Sequence, residues 1–340
     1  MKIAIISVTS PGRKLALKIK NILLEDPVVI KVDTFHKNVK DNLNQIIASY
    51  DSIVGIMATG IMIRSICPLL KSKTTDPGIL VMDEKGKHVI SLLSGHLGRA
   101  NDLTLKIASL IGAQAVLTTA TDINQIIGID TLASRYFWEI ENPELIVDFN
   151  QSLLQGEKIG LLTNSCICYI FDNPQVGGSY YLINKKKIRD PNFLSIKHNQ
   201  IIALAEDKIL NMTPKKVVVG LGSRKGVTCY QVLQAMKETL ENLKLPLNRV
   251  DLIATGEMKS NEKGIMEAAS YLGVPLEIVS INELKACKSP LCSTSPLVKN
   301  KFGIKGVCEP SALIAAGEKS KLIIKKVARY KVTVAVAISN

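Results

Sequence analysis

Aromatic side chains are scarce. One tryptophan, six phenylalanines and eight tyrosines make up 4% of the 340 residues. No RNP-like or zinc-finger pattern occurs either, so base-stacking readout of nucleic acid has little to work with. Histidine is rarer still, with four in the chain. No uninterrupted apolar run reaches the ~18 residues of a membrane span. The opening MKIAIISV is short and lacks a good cleavage site, so it reads as a first β-strand and the expected place is the cytoplasm. The cysteines at 67, 166, 168, 229, 287, 292 and 308 form no CxxC pair. That excludes paired zinc spacing, and an odd number in a long chain argues against a disulfide framework. Most read as small buried hydrophobes.

Two familiar phosphate loops are also missing. GLGSRKG (220–226) nearly matches both and fails both. Its glycines are spaced one residue too long for GxGxxG, and its Lys225-Gly226 pair stands in the wrong order for a Walker A loop. A nucleophile elbow is absent too, because Leu92 stands where GxSxG needs its first glycine.

What is present is positive charge and β-α alternation. The formal net charge is +13, and 20 basic against 10 acidic residues fall in 214–340. Such an excess suits an anionic partner, either nucleic acid or a small polycarboxylate, when it is more than a solvated surface. At roughly 100–200 residues per domain the length allows two or three domains.

The pattern predicts strands over 2–8, 28–35, 51–57, 78–84, 87–93 and 113–119, with helices over 15–23 and 61–70. Lys85-Gly86 reads as a hairpin turn. A helix after His96 places Ala100, Leu103, Ile107 and Leu110 on one face, ended by Gly112. Turn-rich 123–213 reads as short strands, KIGLLTN and CICYIF among them. From 215 onward strand, glycine-bearing loop and helix recur. The expected fold is α/β: two three-layer α/β/α end domains, 1–122 and 214–340, with mostly parallel or mixed sheets, joined by a smaller α+β middle domain, 123–213.

Strand-to-helix seams are where such folds bind ligands, because free N–H groups and the helix dipole meet there. The candidates are ATG (58–60), SGH (94–96), GLGSRKG (220–226) and ATGEMKSNE (254–262). Ser94 reads first as a helix N-cap. His96 has a side chain suited to proton transfer near neutrality, although a lone histidine is often structural. Ser223, Arg224 and Lys225 can grip an anion or form a polar turn. Lys71, Lys73 and Asp76 suit a solvated loop, Asp83 and Glu84 a turn, and Lys259 with Glu262 a local i, i+3 ion pair.

Taken together, these stretches resemble the cobalt-precorrin-5A hydrolase family of anaerobic cobalamin biosynthesis (CbiG). MATGIMIRSICPLLKSKTTDPGILVMDEKGKHVISLLSGHLGRAND and TTATD (118–122) carry the resemblance in the first third. VVVGLGSRKGVT, MKSNEKGIMEAASYLGVPLEIVS and GVCEPSALIAAG carry it in the last. Arg99 departs from the family's usual glycine.

The resemblance implies opening of the ring A δ-lactone of cobalt-precorrin-5A and release of acetaldehyde to give cobalt-precorrin-5B. The alternative is a non-catalytic carrier of the cobalt-tetrapyrrole. No cofactor is implied, since cobalt arrives in the substrate. On this reading His96 is the general base or an axial ligand to that cobalt, aided by Ser94, Asp83 and Glu84. Thr59, Gly60, Arg64, Lys73, Asp76, Gly95, Gly98, Arg99, Asn101, Gly222, Ser223, Arg224, Lys225, Lys259 and Glu262 are the expected substrate contacts. Neighbouring methyltransferases and a second copy of the chain are candidate partners; nucleic acid and membrane are not.

Overall fold

The computed structural model describes residues 1–72, 74–183, 199–206 and 208–340. It divides into two compact units, Met1–Glu25 with Lys31–Pro214, and Asp26–Ile30 with Lys215–Asn340.

Short apolar runs build the first sheet of unit 1. Its strands are β1 (Lys2–Ser7), β2 (Lys31–His36), β3 (Ser52–Ile56), β4 (Gly78–Met82), β5 (His88–Leu93) and β6 (Gln114–Val116), in the order β2-β1-β3-β4-β5-β6. The helices are α1 (Ser10–Leu24), α2 (Val39–Ile46), α3 (Thr59–Ile66) and α4 (Ala100–Ile111). Alternate residues of a strand face opposite ways. Ala4 and Ile6 therefore join Leu43 and Ile46 of α2 and Met62 and Ile66 of α3 in one core. Ile3 and Ile5 point to the other face, where α1 and α4 pack against the sheet and each other.

Direction matters most here. β2, β1, β3 and β4 are parallel, β5 turns back antiparallel to β4, and β6 runs with β5. The carboxyl ends of β5 and β6 therefore lie at the opposite edge from those of β1, β3 and β4. At ~3.3 Å per residue, strands of this length separate the two edges by about 17–20 Å.

Unit 1 continues into a second sheet, β7-β11-β10-β8-β9, formed by β7 (Trp138–Ile140), β8 (Ile159–Thr163), β9 (Tyr180–Leu182), β10 (Ile201–Ala205) and β11 (Lys208–Pro214). Among the described residues its β8–β9 pair is parallel and its other pairs are antiparallel. The helices described beside this sheet are α5 (Ala120–Ile123), α6 (Ile129–Tyr136), α7 (Ile146–Leu154) and α8 (Pro174–Ser179).

Unit 2 holds β12 (Val217–Ser223), β13 (Leu252–Gly256), β14 (Leu276–Val279), β15 (Lys321–Arg329) and β16 (Val332–Ile338), ordered β14-β13-β12-β16-β15. Its helices are α9 (Cys229–Leu240), α10 (Lys263–Leu272), α11 (Ile281–Ala286), α12 (Pro296–Phe302) and α13 (Cys308–Ala316). Gly220 explains part of the GLG pattern. A Cβ there would lie 1.9 Å from the Cys308 carbonyl oxygen, so this glycine lets α13 close onto β12. Lys325 N–H donates to the Pro27 carbonyl (2.9 Å), and Ile30 packs beside Cys308, Leu322 and Ala335.

The mixed α/β architecture is as expected, with local corrections. The second strand begins at Lys31 rather than 28, because Val28–Ile30 belong to unit 2. CICYIF is no strand: Cys168–Asp172 form a 3₁₀ turn, and Asn173 then caps α8. Leu110 is exposed, while Ala100, Leu103 and Ile107 are buried. Most cysteines are not buried either; only Cys292 and Cys308 are. Ser94 is not an N-cap. It sits at φ 54°, and α4 starts six residues later after Arg99, whose side chain makes no cap bond.

Candidate functional site: a charged histidine at one sheet edge

The segment Ser94–Arg99 is a loop held by backbone bonds. Ala100 and Asn101 N–H donate to the Ser94 (3.3 Å) and Gly95 (3.0 Å) carbonyls, and Arg99 N–H to that of His96 (3.0 Å). Gly98 is pressed against the start of β4; a Cβ would lie 2.8 Å from Gly78 N and 2.6 Å from Ser94 Cβ. This compact loop turns the His96 ring inward, leaving its side chain 7% exposed.

Two carboxylates flank that ring. Nδ1 donates to Asp130 Oδ2 (2.9 Å) and Nε2 to Asp122 Oδ2 (3.0 Å). Burial works against a charged ring, but the hydrogen bonds and charges of Asp122 and Asp130 outweigh it and raise the pKa to about 10. His96 is therefore an imidazolium at neutral pH, and neither nitrogen has a lone pair to offer a proton or cobalt.

Polar groups fix the carboxylates in turn. Asn101 Nδ2 donates to Asp122 Oδ2 (2.6 Å) and Thr119 Oγ1 (3.2 Å), while Ser91 Oγ donates to Asn101 Oδ1 (2.6 Å). Asn150 Nδ2 and Thr131 N–H donate to Asp130 Oδ1, both at 3.1 Å. Asn101, Thr121 and Asp130 are buried. Buried polar groups require such pairing, and here the chain supplies it from β5, α4, α5, α6 and α7.

The other expected residues divide by edge. Asp76, just before β4, lies on the His96 side, where both carboxylate oxygens accept from Lys71 N–H at 3.0 Å. Arg99 pairs with Asp102 (3.3 Å). Thr59, Gly60, Asp83 and Glu84 follow the carboxyl ends of β3 and β4, so the structure does not bring them to His96. Arg64 lies in α3, where its Nη1 donates to the Gly60 carbonyl (3.4 Å). Asp83 organises the hairpin. Burial alone would raise its pKa, but N–H groups of His88, Lys85 and Lys87 hold it below the usual range. Glu84 accepts from Thr9 Oγ1 (2.6 Å). Lys73 lies outside the described residues.

In unit 2 Lys259 and Glu262 meet, and Glu262 also reaches the GLGSRKG loop. Gly226 N–H donates to Glu262 Oε1 (2.7 Å), and Lys259 Nζ pairs with Glu262 Oε2 (3.2 Å). Gly222 is buried against Thr333, whose Oγ1 would stand 2.6 Å from a Cβ. Ser223 Oγ is shut off from water without a hydrogen-bond partner among the described residues. Arg224 and Lys225 are exposed.

Sequence reasoning missed Asp122 and Asp130 as site residues. A signal existed for each: Asp122 ends the TTATD segment after β6, and Asp130 is an acid inside the apolar run IIGIDTLA.

The fold and this cluster define an α/β protein of mixed sheets, with a fixed buried cation between two acids. The model of the cobalamin synthesis G N-terminal region matches residues 41–122, and that of the cobalamin synthesis G C-terminus matches 217–337. A probable cobalt-precorrin-5A hydrolase of Methanocaldococcus jannaschii is 32% identical over the whole of both chains. The cobalt-precorrin-5A hydrolase of Priestia megaterium is 28% identical over 98% of this chain and 94% of its own. A crystal structure of a cobalamin biosynthesis protein G homolog from Sulfolobus solfataricus superposes with a TM-score of 0.60 at 28% identity, covering 100% of this chain and 97% of that one. The chain belongs to the cobalt-precorrin-5A hydrolase family of cobalamin biosynthesis.

Proposed function

We propose that this chain opens the ring A δ-lactone of cobalt-precorrin-5A by hydrolysis and releases acetaldehyde, giving cobalt-precorrin-5B. The observation that carries the reading is end-to-end similarity to the Methanocaldococcus jannaschii relative. Lactone opening needs an activated water, stabilisation of a tetrahedral oxyanion and a proton for the departing alkoxide. His96 as general base does not suit its geometry, because a doubly donating imidazolium cannot accept a proton. Both ring N–H groups are already given to Asp130 and Asp122, so the part that suits His96 is holding those carboxylates in place.

The substrate carries peripheral carboxylates. Exposed Arg224 and Lys225, in the more basic unit, are suited to them, and Arg can bind a carboxylate through two N–H groups. Neighbouring methyltransferases and a second copy of the chain are the partners this reading allows, in the cytoplasm. Among the described residues no helix is long and apolar enough to cross a membrane.

The test is to give purified protein cobalt-precorrin-5A. Stoichiometric acetaldehyde, with the matching mass change of the macrocycle, is the expected result. Tight binding of the macrocycle with no acetaldehyde would replace the hydrolase with a carrier.

A further inference from the structure

We propose that Asp122 is the catalytic base that activates the hydrolytic water, and that His96 is its positioning residue. This rests on the hydrolase reading above. Three charged side chains form the cluster, but they are unequally placed. The Asp122 side chain is 30% exposed, against 7% for His96 and 10% for Asp130. Asp122 is therefore the member that solvent and a large substrate reach.

Its two oxygens also differ. Oδ2 accepts from both His96 Nε2 and Asn101 Nδ2, at 3.0 and 2.6 Å. Oδ1 accepts no hydrogen bond among the described residues, so its lone pairs remain available to water. The two donors are themselves anchored, His96 by Asp130 and Asn101 by Ser91 and Thr119. The carboxylate is thus held by His96 and Asn101, which are themselves anchored from β5, α6 and the residue before α5, and a base on a rigid site requires such support.

The order of the chain is Asp130–His96–Asp122. The imidazolium stands in the middle, and the outermost carboxylate meets the water. Asp122 Oδ1 takes a proton from water as the hydroxide oxygen bonds to the lactone carbonyl carbon. The acyl–oxygen bond then breaks, its electron pair goes to the ring oxygen, and Asp122 returns the proton to that alkoxide. One water is consumed and the base is regenerated, with no oxidant or reductant.

The experiment compares wild type with Asp122→Asn, Asp122→Ala and Asp130→Asn by acetaldehyde release, with thermal unfolding to confirm folding. Asp122→Asn should lower kcat by about 10²–10⁴-fold while KM changes little, as loss of a general base does. Asp130→Asn, acting one residue further away, should cost less. In Asp122→Ala, added formate should restore turnover in a concentration-dependent way, because it refills the place of the lost carboxylate. A merely structural aspartate would show no formate-dependent kcat. Folded Asp122→Asn or Asp122→Ala at wild-type kcat without formate would overturn the assignment while leaving the hydrolase standing. Inactive wild-type protein would instead remove the hydrolase reading on which it rests.

Discussion

At one edge of the first sheet a histidine cation is held between two carboxylates; in unit 2 a carboxylate is held between a lysine and a backbone N–H. Both devices hold a loop that follows a strand. The difference lies in what is left over. Around His96 every strong donor is consumed, and the free capacity is an acceptor on Asp122. Around Glu262 the acid is consumed, and the free capacity is positive, on Arg224 and Lys225. On the roles proposed above, one cluster would transfer a proton and the other hold an anion, although their sequence signatures look alike.

The largest effect should come from removing the cation. His96→Ala leaves Asp122 and Asp130 facing an uncompensated site, and loss of one partner from a buried ion pair costs about 3–5 kcal/mol. Urea unfolding should show it, and Glu262→Ala should cost less because it unpairs one charged side chain, Lys259, where His96→Ala unpairs two.

Titration tests the same contrast. The folded-state pKa of His96 lies above its ordinary value of 6.5, at about 10. Its stabilising contribution is therefore complete below pH 6.5 and lost as pH rises through 10. Unfolding across that window, with the His96 ring followed by NMR, should show the loss; a ring already neutral at pH 8 would contradict the clamp.

Next come the packed glycines. Gly98→Ala drives a methyl into Ser94 and the backbone of Gly78, and overpacking of this kind costs about 1–3 kcal/mol. In Gly226→Ala the added methyl meets nothing within 4 Å, so the cost there is confined to a backbone held at φ +78°. Parallel thermal melts rank the pair.

The smallest effect concerns Arg99. It sits in the left-handed region at φ 58°. Arg99→Gly relieves that conformation but loses the exposed contact with Asp102 and loosens the unfolded chain, so a gain of no more than about 1 kcal/mol is expected. A gain with unchanged acetaldehyde release would show that the arginine does not serve the substrate.

Much of this was legible in the chain itself. Apolar runs near the length of a strand, helical spacing, Gly112 as a helix stop and Lys85-Gly86 as a hairpin are local preferences, and they appear where the pattern puts them. Lys259 and Glu262 sit three residues apart and pair as spacing alone predicts. The hairpin even contained the information that β5 runs backwards. Its consequence was harder to see: reversing one strand sends Asp83 and Glu84 to the edge away from His96, although Ser91, which supports the cluster, comes only eight positions after Asp83.

By itself, then, the sequence determined the α/β elements, the basic character of unit 2 and the presence of a histidine in a glycine-bounded loop, because these depend on composition and neighbouring residues. Only the tertiary structure decided what that histidine is. Its protonation depends on Asp122 and Asp130, 26 and 34 positions along the chain, which arrive through the direction of β6 and the placement of α6. Charge on a buried ring is set by distance in space, and the folded chain alone brings two carboxylates within 3.0 Å of it.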